Sequence, residues 1–253
     1  MFRNTVKRTI SCPEDGYVSP FRLCGNVYFV GTWQASSHLI DTGAGLILID
    51  TGYENTLPLV LDSICALGFD VRDVRYIVNT HWHDDHTGAT AALAARSGAK
   101  TLIGAKDAEN AKKYFTPDVL VREGDTLSLG DTVLHFLETP GHTKGTLSLF
   151  FEVTEGEKRY RLGMFGGAGI NTLAKNTLEY PTARADYFAS VARLKDKRVD
   201  VMLGNHTWNN NTAAYGELLL KSGENRFLDP TTWGKFLSFC EERLRALIAE
   251  ENA

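Results

Sequence analysis

The chain has 253 residues, 43% of them hydrophobic and 23% charged, with a net charge of -4. That is enough chain to bury a substantial core, read as one domain over residues 1–253, and its balance excludes a disordered or fibrous protein. The slight acidity offers no footing for nucleic acid, and no apolar run approaches the roughly 18 residues of a membrane span.

From the N-terminus, the first ten residues carry basic side chains but no apolar leader segment. The expectation is a cytoplasmic protein, or a periplasmic or secreted one if a leader has been removed. Strand-like runs follow at 27–30, 39–40 and 46–49. Leu57, Val60, Leu61, Ile64, Cys65 and Leu67 then form an apolar stripe at helical spacing. A strand at 76–78 precedes an alanine-rich helix over 89–95. Further strands are predicted at 101–103, 119–122, 126–129, 133–138 and 147–153. Residues 155–158 read as a hairpin turn into a strand at 159–165. Tyr187, Phe188, Val191 and Leu194 mark a third helix, 199–203 a strand, and Phe236, Leu237, Cys240, Leu244 and Leu247 a last helix. Strands mixed with helices in this way predict a layered α/β domain. Cys12, Cys24, Cys65 and Cys240 make no C-x-x-C pair and read as incidental thiols, with a Cys12–Cys24 bridge as the alternative.

The chemistry concentrates in 81–86, directly after the strand at 76–78. His81, His83, Asp85 and His86 stand there in H-x-H-x-D-H register. Imidazole and carboxylate suit zinc without any thiolate. In an extended loop His81 and His83 point the same way, while Asp85 and His86 lie past the bend, so one loop can serve two adjacent ions. A plain helix cap would need one short polar residue, not three histidines. Two more histidines follow predicted strands: His142 between Gly141 and Thr143, and His206 after Gly204 and Asn205. Asp50 ends the apolar run 46–49 and is followed by Thr51 and Gly52.

Together these pieces, in this order over about residues 25 to 206, resemble the metallo-β-lactamase superfamily. The resemblance implies an αββα sandwich with two zinc ions at one edge and a small-molecule substrate. It implies that His81, His83 and His142 hold one ion, that Asp85, His86 and His206 hold the other, and that a hydroxide bridges them. Asp85 then counts as a catalytic residue as well as a ligand. Asp50 is read either as an acid that orients a ligand by a hydrogen bond or as a turn residue before Gly52. Residues 164–169 hold no carboxylate, which argues against the glyoxalase II and lactonase branch. Ala168 stands where one lactamase subclass has a cysteine ligand and where a substrate-positioning serine is common. The closest pattern is the third, Cys-less subclass, implying opening of a β-lactam amide; the alternative is a hydrolase of another ester, lactone or thioester. A flavo-diiron reading would need a further acidic ligand and a flavin domain, neither visible here. Trp33 is expected to wall the pocket, Trp208 and the asparagines 209–211 to line its far rim, and Trp82 to pack beneath the loop. His38 and His135 are expected to be satisfied strand histidines, Asp84 to face solvent or cap a helix, and Lys144 to sit in a tight turn.

Overall fold

The computed structural model describes residues 16–253. In chain order its elements are β1 (Phe21–Cys24), β2 (Val27–Phe29), β3 (His38–Asp41), β4 (Leu46–Ile49), α1 (Leu57–Ala66) and β5 (Val74–Val78). Then come α2 (Asp84–Thr87), α3 (Thr90–Ser97), β6 (Lys100–Gly104), α4 (Ala108–Ala111), β7 (Val119–Val121) and β8 (Thr126–Leu129). The chain continues with β9 (Thr132–Glu138), β10 (Leu147–Glu155), β11 (Lys158–Met164), α5 (Ala183–Lys195), β12 (Val201–Leu203), α6 (Thr212–Ser222) and α7 (Thr231–Glu251). The Cys12–Cys24 pairing lies outside the described residues.

Two mixed sheets face each other. The first runs β1 to β7 in sequence order, antiparallel as far as β4 and parallel from β4 to β7. The second has the order β12-β11-β10-β9-β8 and is antiparallel except for the β11–β12 pair. Side-chain alternation divides each strand between two cores. Ile47, Ile49 and Val78 point between the sheets, against Leu147, Leu149, Met164 and Leu203. Their neighbours Leu48 and Ile77 point outward, under Val60 and Ile64 of α1 and Leu93 of α3. Burial on both faces is why β4 reads as an unbroken apolar run. On the far side, α5 and α7 cover the second sheet with Tyr187, Leu194, Leu237 and Leu244 packed about Leu137 and Met202. The result is the αββα arrangement that the sequence implies.

Four elements escape the sequence patterns: the one-turn helices α2 and α4, and also β1 and α6. β1 is short and carries Arg22 on its solvent side. α6 contains Gly216, which lowers helix propensity. The glycine is needed because a Cβ there would lie 2.1 Å from Cε1 of Phe21 on β1. The hairpin at 155–158 forms as expected, with Glu155 opposite Lys158.

The topology gathers the chemical loops at one edge. β4 and β5 are parallel, so Asp50 and the 79–86 loop leave the first sheet side by side. β11 and β12 are parallel too, which brings 166–169 next to 204–206. The two sheets are tied at this edge by Leu147 N donating to the Thr80 carbonyl at 2.8 Å. At the end of β6, a Cβ on Gly104 would sit 2.0 Å from the Gly145 carbonyl oxygen. Backbone cannot yield as a side-chain tip can, so Gly104→Ala should destabilise the protein by about 1–3 kcal/mol, the usual cost of overpacking. A melting temperature lowered by roughly 2–12 °C is expected from thermal unfolding, at about 2–4 °C per kcal/mol for a chain of this size; an unchanged value would contradict the close approach.

Candidate metal centre

Asp50 anchors the site. It is fully buried and holds a left-handed backbone conformation (φ 55°), which aspartate tolerates better than most residues. Its Oδ1 accepts from Thr80 N at 2.7 Å, and its Oδ2 from Thr80 Oγ1 at 2.8 Å and from His86 Nδ1 at 2.7 Å. Both sequence readings of Asp50 therefore coexist: it ends the strand in a turn and it orients a histidine. Next to it, the amide and hydroxyl of Thr51 both donate to the His86 carbonyl, at 2.8 and 3.1 Å.

Each of the five histidines has its outward nitrogen engaged. His81 Nδ1 lies 3.1 Å from Thr80 Oγ1, whose own proton goes to Asp50. His83 Nε2 lies 3.2 Å from Glu179 Oε1, and His142 Nδ1 lies 2.9 Å from the Gly169 carbonyl. His86 Nδ1 faces Asp50, and His206 Nδ1 lies 2.8 Å from the Gln34 carbonyl. These acceptors place the ring protons outside, so in the neutral rings the inner nitrogens present lone pairs. The lone pairs meet. His83 Nδ1 and His142 Nε2 are 3.0 Å apart, His142 Nε2 and His81 Nε2 3.2 Å, and His86 Nε2 and His206 Nε2 3.4 Å. Asp85 Oδ2 lies 3.5 Å from His86 Nε2 and 3.7 Å from His206 Nε2. Lone pairs held this close repel unless a cation lies between them. The spacings are near the roughly 3.3–3.4 Å edge of a tetrahedron with metal–nitrogen bonds of about 2.0–2.1 Å. His81, His83 and His142 form one group that could hold an ion; His81, Asp85 and His86 form another, with His206 at its border. The donor set thus fits metal ions.

Charge follows the same logic in the metal-free form. Burial, then the neighbouring histidines, push His81 and His142 well below the usual imidazole range. Burial and His86 bring His206 down to about 4. For His86, burial opposes the charged form, but Asp85 and Asp50 outweigh it and raise the ring to about 9. Burial likewise works against the Asp85 carboxylate, yet His86 and His206 hold it below its ordinary value.

Some supporting residues gave no sequence signal. Asp107, buried just after β6, accepts from Trp82 N at 3.2 Å, Thr143 Oγ1 at 2.6 Å and Gly145 N at 2.7 Å. It thereby clamps the 81–86 loop to the His142 loop. Thr172 donates to the His142 carbonyl at 2.7 Å. Glu179 lies in the loop between β11 and α5, far in sequence from the histidine it meets.

Of the other positions, Ala168 and His38 differ from expectation, while Asp84 and Trp82 match it. Ala168 does not sit open to the histidines. It is buried in the apolar layer with Phe165, Leu173 and Tyr187, and its carbonyl accepts from Tyr187 Oη at 2.8 Å. Gly167 and Gly169 are the positions that crowd His142. His38 is a strand histidine but not a satisfied one: it is fully buried and neither ring nitrogen has a partner. The buried Ser36 and Ser37 hydroxyls and Asn205 Oδ1 are unpartnered as well. His135 is exposed on β9 and Asp84 faces solvent. Trp82 packs below the loop on Ile103, Ala111 and Phe115. Trp208 stacks flat on His206, with ring centroids 3.9 Å apart. Trp33 is 40% exposed, on a loop tied to the His206 segment by Thr207 Oγ1 donating to the Trp33 carbonyl.

A two-sheet α/β fold carrying a histidine-rich metal site at one edge defines a class of metal-dependent hydrolases, and the comparisons agree. The metallo-beta-lactamase superfamily model matches residues 30–155. The structure of BJP-1, a subclass B3 metallo-beta-lactamase of Bradyrhizobium japonicum, is similar with 30% identity and a TM-score of 0.85, covering 94% of this chain and 96% of that one. The Beta-lactamase-like protein 2 homolog of Caenorhabditis elegans is 28% identical over 165 residues, 64% of this chain and 52% of its own length. The Hydroxyacylglutathione hydrolase of Anaeromyxobacter dehalogenans is 35% identical over 116 residues, 46% of this chain and 42% of its own. The chain spans about half the length of these curated relatives. It belongs to the metallo-β-lactamase superfamily.

Unpartnered burial pushes His38 down to about 3. Its folded value is depressed below the unfolded value near 6.5, so the unfolded chain binds the extra proton between pH 6.5 and 3. This one group should therefore lower stability by about 1.4 kcal/mol per pH unit on descending through that window. His38→Leu is expected to gain on the wild type steadily as pH falls from 7 to 4 in urea unfolding. Parallel pH profiles would contradict the assignment.

Proposed function

We propose that the protein is a di-zinc hydrolase of the Cys-less metallo-β-lactamase type that opens a cyclic amide. One observation carries this: five imidazoles turn one ring nitrogen, and Asp85 its carboxylate, toward a common space while the outward ring nitrogens are all engaged. His81, His83 and His142 are assigned to one ion, and Asp85, His86 and His206 to the other. When bound, the ions supply Lewis acidity and acidify water, so that a nucleophile exists at neutral pH. The absence of a carboxylate over 164–169 and the likeness to BJP-1 along nearly the whole chain favour the Cys-less type.

The chain's own residues provide position and proton handling. Asp50, Thr80 and the Gly169 and Gln34 carbonyls hold the ring tautomers. Asp85 is the one member of the set with spare acceptor capacity, so its carboxylate takes the proton from attacking water and returns it to the departing amide nitrogen. Among the described residues no serine or cysteine pairs with a histidine. The hydroxyls that do, on Thr80 and Thr172, face the outer nitrogens and are not placed to attack. Trp33 offers an apolar wall at the mouth, and Trp208 covers one face of His206.

A second reading, hydrolysis of another ester, lactone or thioester, is favoured by Glu179. Its carboxylate lies beside His83 and adds negative charge behind that ring, which disfavours the carboxylate that penicillins and cephalosporins carry. The hydroxyacylglutathione hydrolase relative makes a thioester the first alternative to try.

The test is a panel of a chromogenic cephalosporin, a lactone and a thioester with zinc-loaded protein. Cephalosporin turnover that is lost on chelation and restored by zinc is expected. Turnover of a lactone or thioester with the cephalosporin untouched would replace the first reading by the second. A covalent acyl-enzyme seen by mass spectrometry would overturn the water-attack mechanism in both.

A further inference from the structure

We infer that Glu179 is a positioning residue for the first metal group: its carboxylate accepts the Nε2 proton of His83 and so turns the Nδ1 lone pair toward His81 and His142. The inference rests on the reading of His81, His83 and His142 as ligands.

The two nitrogens of His83 face opposite partners. Nδ1 looks inward, 3.0 Å from His142 Nε2, while Nε2 looks outward, 3.2 Å from Glu179 Oε1. Glu179 therefore lies on the far side of the ring from the ion site and cannot share in ligation through that contact. His83 differs in this from the other four histidines. His81 is paired to a threonine hydroxyl, His142 and His206 to backbone carbonyls, and His86 to Asp50, which is built into a strand end. His83 alone depends on a carboxylate borne by a long loop. Both side chains are mostly shielded, His83 16% and Glu179 20% exposed, so the hydrogen bond is screened less than a surface pair.

The loop is pinned where it must be. Glu251, at the last turn of α7, accepts from Lys175 N at 2.7 Å and pairs with Arg184, which also donates to the Leu173 carbonyl at 2.7 Å. Thr177 Oγ1 donates to the Asn171 carbonyl at 2.6 Å. At its near end Thr172 grips His142. The loop thus carries two tasks at once, fixing His142 by a hydroxyl and His83 by a carboxylate. A carboxylate that accepts a ligand's outer proton fixes its tautomer and makes the inner nitrogen more basic; losing such a partner commonly weakens metal binding about 10–100-fold.

Two readouts test this. In metal-free wild-type protein labelled with nitrogen-15 histidine, NMR should find the His83 proton on Nε2, and Glu179→Ala should give a mixture of tautomers. In competition with a chromogenic chelator, Glu179→Ala should bind its first zinc about 10–100-fold more weakly. Glu179→Gln should recover most of that loss, because its amide oxygen also accepts the proton. A His83 proton on Nδ1 in the wild type, or a zinc affinity within twofold in Glu179→Ala, would overturn the inference. A wild-type protein that takes up no zinc would instead overturn the ligand reading beneath it.

Discussion

A neutral imidazole has one nitrogen that donates and one that accepts, and in this protein the outward acceptors decide which is which. Five rings are held with one nitrogen on the scaffold and the other facing its neighbours, a lone pair in every ring that is neutral. That arrangement is repulsive in itself, and the fold must impose it. It does so from several directions, because each acceptor comes from a different part of the chain: a strand end at Asp50, a backbone carbonyl at Gln34, another at Gly169, and a loop side chain at Glu179. A metal ion held there would relieve a conflict that the scaffold has already built.

The layered architecture explains how so many pieces meet at one edge. Parallel neighbours β4 and β5 deliver Asp50 and the 81–86 loop together, and parallel β11 and β12 do the same for 166–169 and His206. Between them, the Leu147–Thr80 backbone bond and the Asp107 clamp tie one sheet's loops to the other's. Asp107 performs this task while buried, and burial raises it to about 6 despite three donors. The scaffold therefore accepts electrostatic strain at the site, as with His38, to gain a defined geometry.

What could be read from the sequence follows from range. β4 was recognisable because a strand buried on both sides is apolar throughout, and β10 because Leu147, Leu149, Phe151 and Val153 alternate along it. The 81–86 loop was recognisable because metal chemistry requires particular residue types at short spacing. His142 and His206 needed only the added fact that each follows a strand. β1 and α6 were hidden because their stability comes from each other, through the close approach of Gly216 and Phe21. Asp107 and Glu179 were hidden for the same reason: their partners lie far away in sequence, and no local pattern marks an acid that will meet them. Ala168 shows the converse risk, since alignment of a short motif placed it by the metals while loop packing turned it into the core.

The central claim is that the inward-facing atoms hold two ions. Crystals of zinc-loaded protein measured at the zinc absorption edge test it directly. The account predicts two anomalous peaks roughly 3.5–4 Å apart, one among His81, His83 and His142 and one among Asp85, His86 and His206. A single peak, or peaks away from these residues, would contradict it.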